Sequence, residues 1–127
     1  MHKLAFKAAQ AASCAGEQGK YWEMHDRLYA NQQKLEPWTD HAQAIGLDVT
    51  KFENCLESGR LDAEIRRDME EGQKAVVNGT PTFFLAYNSD PKSPKIKTVV
   101  RLTGAQPYAA FKAAIDKLLA GQPEANK

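Results

Sequence analysis

The segment Gly79-Thr80-Pro81-Thr82-Phe83-Phe84-Leu85 separates two halves of the chain that differ in their hydrophobic pattern. Residues before it follow a helical period, and a strand is predicted to begin inside it. The run Thr82–Ala86 is largely apolar on successive residues, which is typical of a strand covered on both faces. Pro81 opens this strand, one of the few sheet positions that a residue without an N–H can occupy. We therefore expect the fold to change from helices to strands at this segment.

The sequence before this segment predicts five helices joined by short connections. In the second helix, Trp22 and Tyr29 are expected to widen the buried face formed by Met24 and Leu28. His25, beside Trp22, is expected to be a hydrogen-bonded core histidine. The helices are expected at approximately His2–Ala15, Tyr21–Asn31, Thr39–Ile45, Thr50–Ser58 and Leu61–Val76.

Two of these helices carry start signals in the sequence. Thr39 follows Pro37 and is the expected N-cap of the third helix. Thr50 and Glu53 have the spacing of a capping box, so the fourth helix is expected to begin at Thr50.

The sequence after the segment predicts a β-hairpin and one more helix. A long polar loop follows the first strand, and Lys97–Leu102 alternates in the way expected of a strand near a sheet edge. Pro107 opens a final helix whose apolar stripe includes Phe111 and Ile115, and the tail from Glu124 is expected to be disordered. Because two strands make only a marginal sheet, the strand Thr82–Ala86 needs a further layer or strand.

Composition excludes several classes of function. The chain has 127 residues, a formal net charge of +1 and 43% hydrophobic residues, which is typical of one globular domain or a large part of one. This balance gives no sign of nucleic-acid binding, and no apolar run has the length of a membrane span. Residues 1–20 lack the apolar core of a signal peptide.

The residues that could carry chemistry are few. Cys14 and Cys55 lie far apart, so the chain holds no C-x-x-C motif, although a structural disulfide stays possible. His2, His25 and His41 are scattered and lack zinc-ligand spacing, so no metal site is expected. The aromatic residues that could line a pocket have spacings that favour core positions instead: Phe83, Phe84, Trp22 and Tyr108.

Several segments together resemble the DsbA-like thiol–disulfide oxidoreductases, a family with a thioredoxin fold and a helical insertion. The segment from Cys14 to Asp26 resembles the start of that insertion, and Gly79–Phe84 resembles the family's cis-proline loop. The other matching pieces are Gly46-Leu47-Asp48, Phe52-x-x-Cys55-Leu56, Gly59-Arg60 and Gly104-Ala105-Gln106-Pro107-Tyr108.

The resemblance implies an α/β fold that is part of a thioredoxin-like domain. Residues 1–77 would form the helical insertion module, residues 78–121 the C-terminal ββα part, and residues 122–127 a tail. The family's βαβ unit, which carries Cys-x-x-Cys, spans about 30 residues or more and is absent from this sequence. In the family its first strand borders Thr82–Ala86, so we expect that edge to be bare and to recruit a second copy into a homodimer.

The resemblance also assigns roles to individual residues. Thr80 and Pro81, joined by a cis bond, would bind an extended client polypeptide, and Gly79 would give the backbone room to turn. Cys14 and Cys55 would form a structural disulfide, the alternative being two buried free thiols. No catalytic residue, metal or cofactor is assigned to the chain itself.

The function implied is that of part of an extracytoplasmic thiol–disulfide oxidoreductase that acts on cysteines of client proteins. Its partners would be the client chain and a redox partner protein of the parent enzyme, with no nucleic acid. Without Cys-x-x-Cys, the chain as given is expected to be inactive. Two alternatives stay open: a glutathione-dependent isomerase or transferase on the same fold, and a non-catalytic peptide-binding module.

Overall fold

The computed structural model describes residues 3–87, 92 and 97–121. Helices precede a two-stranded sheet and a last helix follows it, so the predicted α/β class is confirmed. The chain divides into two compact units, Met1–Gly72 and Gln73–Lys127. The predicted division after residue 77 stays a prediction, and the tail 122–127 and most of the polar loop lie outside the described residues. The elements are α1 (Ala5–Gly16), α2 (Tyr21–Ala30), α3 (Trp38–Ala44), α4 (Val49–Ser58), α5 (Asp62–Lys74), β1 (Thr82–Ala86), β2 (Thr98–Thr103) and α6 (Tyr108–Ala120).

The first unit is built around the small residues of α1. Ala11 and Ala15 are fully buried, and their short side chains allow α2 and α4 to approach α1 closely. Helix α3 packs against both α2 and α4. The core consists of Ala11, Ala12, Cys14, Ala15, Met24, Leu28, Trp38, Ala42, Leu47, Phe52, Cys55 and Leu56.

The buried face of α2 is narrower than predicted. Met24 is fully buried and Leu28 is 7% exposed, whereas Trp22 and Tyr29 are 68% and 66% exposed. At 100° per residue, Trp22 and Tyr29 lie on the opposite side of the helix from Met24, so they cannot share its face. The prediction that they widen the core was wrong.

Helix starts were also predicted at the wrong residues. Helix α3 begins at Trp38, with Pro37 at the N-cap and no side-chain cap. Helix α4 begins at Val49, where Oδ1 of Asp48 accepts a 3.0 Å hydrogen bond from the backbone N–H of Lys51. Asp48, and not Thr50, is therefore the N-cap of this helix. Its carboxylate accepts from a free N–H of the first turn, which is the role that the capping box had assigned to Thr50.

The second unit contains the antiparallel pair β1–β2. Its register pairs Phe83 with Leu102 and Leu85 with Val100, and it shifts between Leu85 and Ala86. Helix α6 covers the face that carries Phe83, whose ring meets that of Phe111 edge-on at 4.9 Å between centroids. The second strand begins at Thr98, one residue later than predicted.

The aromatic residues expected in the core are exposed. Phe83 and Phe84 are 39% and 42% exposed, and Tyr108 is 80% exposed. None of the described residues of the second unit is buried. Their spacing gave the correct elements but the wrong environment, since a two-stranded sheet with one helix cannot enclose both of its faces.

Candidate functional site

The segment Gly79–Leu85 forms an exposed loop that leads into β1. Gly79, Thr80 and Pro81 are all exposed, and the Thr80–Pro81 peptide bond is cis. These are the three residues to which the family resemblance assigned client binding, and they lie together at the start of the strand. Their role in binding stays a prediction.

Two hydrogen bonds fix the shape of this loop. The hydroxyl of Thr82 donates to the carbonyl oxygen of Gly79 at 2.7 Å. The backbone N–H of Gly104, which follows β2, donates to the carbonyl oxygen of Pro81 at 2.7 Å. Gly104 has a φ of +81°, a conformation that favours glycine. The turn after β2 therefore holds Pro81 in place.

The backbone of Thr80 has no such partner. Within the described part of the chain, neither its N–H nor its C=O makes a hydrogen bond. An exposed residue with a free backbone donor and acceptor next to a strand can pair with an extended peptide. Thr80 therefore has a free backbone donor and acceptor next to the start of β1.

Strand β1 has one edge that is not paired with another described strand. Because the carbonyl of Pro81 faces β2, alternation along the strand turns the N–H and C=O of Thr82, Phe84 and Ala86 to the other side. No described strand pairs with that side. Thr80 precedes this edge, across the cis bond to Pro81.

The two cysteines do not contribute to this site. Cys14 and Cys55 form a disulfide with a Cα–Cα distance of 5.8 Å, and each is 2% exposed. The chain has two cysteines in total, so none is free to act as a nucleophile. The disulfide ties α1 to α4 within the first unit.

The histidines behave differently from the prediction. His25 has a side chain that is 37% exposed and hydrogen-bonds to Oδ1 of Asp26 at 2.9 Å, so it is not a core histidine. His41 is the buried one, at 4% exposure. The Nε–H of Arg27 donates to its Nδ1 at 3.1 Å, so its Nε2 carries the proton and donates to the carbonyl of Lys34. Across the described residues, no group of three or more His, Cys, Asp or Glu could hold a metal ion.

The clearest electrostatic feature lies in the first unit, between Glu17 and Arg60. The Arg60 Nε–H donates to Oε1 of Glu17 at 3.1 Å, and a second guanidinium nitrogen contacts Oε2. This hydrogen bonding lowers the pKa of Glu17 and raises that of Arg60; partial desolvation opposes both shifts, and charge attraction reinforces them. The pair joins the end of α1 to the turn after α4, which is a structural role.

Sequence reasoning missed a groove in the first unit. It encloses about 550 Å³ and lies between the small residues of α1 and the aromatic side of α2. The alanine stripe and the spacing of Tyr21, His25 and Tyr29 are the signals that could have indicated it. Its lining includes Ala5, Ala8, Ala9, Tyr21, His25 and Tyr29.

Comparison with known proteins identifies a family. A family model described as thioredoxin matches residues 1–117. No solved structure matches the chain. In the described part of the chain, no helix is long and apolar enough to cross a membrane.

The curated relatives are much longer proteins that are named as Na(+)/H(+) antiporters. The Na(+)/H(+) antiporter NhaA 3 of Salinispora tropica is 40% identical over 87 residues, which are 67% of this chain and 13% of the antiporter. NhaA 1 of Salinispora arenicola is 34% identical over 116 residues, 84% of this chain and 18% of the antiporter. NhaA 1 of Mycobacterium sp. strain KMS is 37% identical over 89 residues, which are 66% of this chain and 14% of the antiporter. The chain thus spans less than a fifth of the length of these relatives.

Proposed function

Since this chain belongs to the thioredoxin family, we propose that it is the client-binding part of a DsbA-like thiol–disulfide oxidoreductase. Gly79, Thr80 and Pro81 bind an extended segment of a client protein. The reactive dithiol lies outside these 127 residues, because the two cysteines present are committed to one buried disulfide.

The observation that carries this proposal is the unpaired backbone of Thr80. Thr80 is exposed next to the start of β1, and its N–H and C=O make no hydrogen bond within the described chain. A client segment in extended conformation supplies one acceptor and one donor to them. Such contacts hold any peptide sequence near the loop, which suits an enzyme that acts on many unfolded clients.

In thiol–disulfide exchange, the role of this chain would be to position the client cysteine. In the exchange, a thiolate attacks a disulfide sulfur, a mixed disulfide forms and the other sulfur leaves as a thiolate. A second thiol of the dithiol resolves the mixed disulfide. Thr80 and Pro81 would hold the client cysteine still during both steps, so their contribution is to binding and orientation.

The disulfide supports an extracytoplasmic location. Disulfides persist in oxidising compartments and are rare in the cytosol. Cys14 and Cys55 stabilise the first unit, which fits a protein that works in the periplasm or outside the cell. The ion transport in the relatives' names is not carried over, because the chain matches at most 18% of those proteins.

Peptide binding can be measured directly on the chain. The probe is S-carboxymethylated insulin B chain, an unfolded peptide without free thiols, titrated into ¹⁵N-labelled protein. We expect the largest amide shifts at Gly79, Thr80 and Thr82. Shifts confined to the first unit, or no shifts at millimolar peptide, would rule out the proposed binding position.

A pair of variants at one position separates backbone from side-chain recognition. Thr80→Pro removes the N–H and should weaken peptide binding at least fivefold, whereas Thr80→Ala keeps the N–H and should bind like the wild type. Thr50→Ala, an exposed threonine on α4, is the matched control. Circular dichroism verifies that each variant is folded.

A non-catalytic peptide-binding module is the second candidate, and the absence of a free thiol in the chain favours it. The same peptide titration supports both functions. They separate when the chain is joined to a thioredoxin-type βαβ unit with Cys-x-x-Cys: only an oxidoreductase part would raise the rate of insulin reduction. A glutathione titration of the same sample tests the glutathione-dependent alternative.

A further inference from the structure

The peptide bond between Asn78 and Gly79 precedes β1, and no other asparagine of the chain is followed by glycine. We propose that Asn78 is a site of spontaneous covalent modification. Its side-chain amide is lost through a cyclic imide, and aspartate and isoaspartate are formed. The reaction itself does not depend on the proposed oxidoreductase function; only its effect on client binding rests on that function.

The reaction is a cyclisation that exchanges ammonia for water. The backbone nitrogen of Gly79 loses its proton to solvent and attacks Cγ of Asn78. A bond from this nitrogen to Cγ forms, and the side-chain nitrogen leaves Cγ, takes up a proton and departs as ammonia. Water then opens the five-membered imide: cleavage of the new bond gives aspartate, and cleavage of the original peptide bond gives isoaspartate. No atom is oxidised or reduced.

The first argument is the access that glycine gives to the attacking nitrogen. A side chain on the residue after asparagine crowds this nitrogen, and glycine has none. The surroundings of Gly79 add no obstruction, because no atom beyond the neighbouring residues lies within 4 Å of the position that a Cβ would occupy. Asn78 and Gly79 are both exposed, so water can reach the imide.

The second argument is that no hydrogen bond holds the reacting groups apart. Within the described part of the chain, neither the side chain of Asn78 nor the N–H of Gly79 makes a hydrogen bond. Residues 77–81 belong to no helix or strand. The carbonyl oxygen of Gly79, which accepts from the hydroxyl of Thr82, lies after the reacting nitrogen. The side chain of Asn78 can therefore turn toward that nitrogen.

The third argument is that the other asparagines of the described chain lack this combination. Asn54 lies within α4, where the N–H of the next residue belongs to the helical hydrogen-bond ladder. The side chain of Asn31 donates to the carbonyl oxygen of Arg27 at 2.7 Å, and a glutamine follows it. These two residues are internal controls for Asn78.

The products change the loop that the proposed function uses for client binding. Both products add a negative charge two residues before Thr80, and isoaspartate also adds one methylene group to the main chain. The loop is held from its other side by Thr82 and Gly104, so the longer backbone must be accommodated near Gly79. We expect the isoaspartate form to bind an extended client more weakly, so that the loop loses binding with age.

Peptide mapping by mass spectrometry tests the modification. The chain is kept at neutral pH and physiological temperature for several weeks and digested with chymotrypsin, which cuts between Asn78 and Asn88. Peptides with position 78 should gain the mass expected when OH replaces NH₂, and protein isoaspartate methyltransferase should label them. Peptides with Asn31 and Asn54 should stay unchanged.

A variant of the following residue tests the mechanism. Gly79 has open space around it and no positive φ, so Gly79→Ala should fold normally and slow the reaction roughly tenfold. The proposal is overturned if position 78 keeps its amide throughout, or if Gly79→Ala reacts as fast as the wild type.

Titration with S-carboxymethylated insulin B chain tests the effect on binding. The aged protein should bind several-fold more weakly than fresh protein, whereas Asn78→Gln should bind equally before and after ageing. Asn78→Asp carries the charge on an ordinary backbone and should bind better than the isoaspartate form. Equal binding by fresh and aged protein would show that the modification does not regulate the loop. Fresh protein that binds no peptide contradicts the proposed function alone, because the mass measurement does not depend on it.

Discussion

Cys14 of α1 and Cys55 of α4 are joined by a disulfide that spans 41 residues of sequence, and each is only 2% exposed. The bond closes a loop that contains α2 and α3. The closed loop contains much of the core of the first unit, so the disulfide constrains the unfolded state of much of the helical module. The core residues between the two cysteines are Ala15, Met24, Leu28, Trp38, Ala42, Leu47 and Phe52.

Removing this disulfide should destabilise the chain strongly. In the chain-entropy model, closing a loop of this length contributes about 4 kcal/mol. The double variant Cys14→Ala, Cys55→Ala should lower the urea midpoint accordingly, and dithiothreitol should lower that of the wild type but not of the variant. Equal midpoints for the oxidised wild type and the variant would show that the bond has no stabilising role.

The same variant tests whether the buried disulfide has redox activity. The chain should not accelerate the reduction of insulin by dithiothreitol, because it has no exposed thiol pair. If the wild type does accelerate it and the Cys14→Ala, Cys55→Ala variant does not, then this disulfide is reactive and its structural assignment is wrong.

Capping of α4 should depend on Asp48 rather than on Thr50. Asp48→Ala loses the hydrogen bond to the N–H of Lys51 and should cost about 1 kcal/mol. Asp48→Asn keeps an acceptor and should cost less. Thr50→Ala and Glu53→Ala should each change the free energy of unfolding by less than about 0.5 kcal/mol. A larger loss in either variant would show that Thr50 and Glu53 do cap the helix.

Acid should weaken the first unit partly through Glu17. The pKa of Glu17 is lowered in the folded state, chiefly by hydrogen bonding to Arg60. The contribution of this pair to the stability of the folded state is therefore present above the unfolded pKa of about 4.3. It is lost as the pH falls through the lower pKa of the folded state. Arg60→Gln should therefore flatten the decrease in melting temperature between about pH 5 and pH 3. Lys51→Gln removes an exposed positive charge elsewhere and should leave that slope unchanged.

The backbone at Val76 carries strain that a substitution can relieve. Val76 has a φ of +56°, the sole positive value at a non-glycine position among the described residues, and it is 54% exposed. β-Branched residues are disfavoured there, whereas asparagine is tolerated. Val76→Asn should stabilise by about 0.5–1 kcal/mol, measured by urea unfolding. Ala75→Asn, at an exposed neighbour without a positive φ, should give no gain.

The elements were largely predictable because local patterns specify them. Helical periodicity and glycine positions located all five helices of the first half within a few residues, and the apolar run Thr82–Ala86 gave β1 with its observed bounds. Start residues were less certain, since Asp48, Thr50 and Pro37 are all acceptable near a helix start, and only the backbone path selects among them.

Burial was less predictable than secondary structure. A pattern shows which residues share a face, but it does not show whether another element covers that face. Trp22 and Tyr108 are large aromatic residues of the kind expected in a core, yet they are 68% and 80% exposed. His41 is buried because Arg27 and Lys34 satisfy both ring nitrogens, a requirement that sequence spacing did not reveal.

The sequence by itself determined the order of elements, the change from helices to strands at Gly79–Leu85, and the lack of a Cys-x-x-Cys motif. These follow from local propensity and from composition, which are properties of neighbouring residues. Only the tertiary structure decided that Cys14 meets Cys55 and that the backbone of Thr80 is left unpaired next to β1. Those facts depend on contacts between residues far apart in the chain, where packing and hydrogen-bond geometry decide which groups meet.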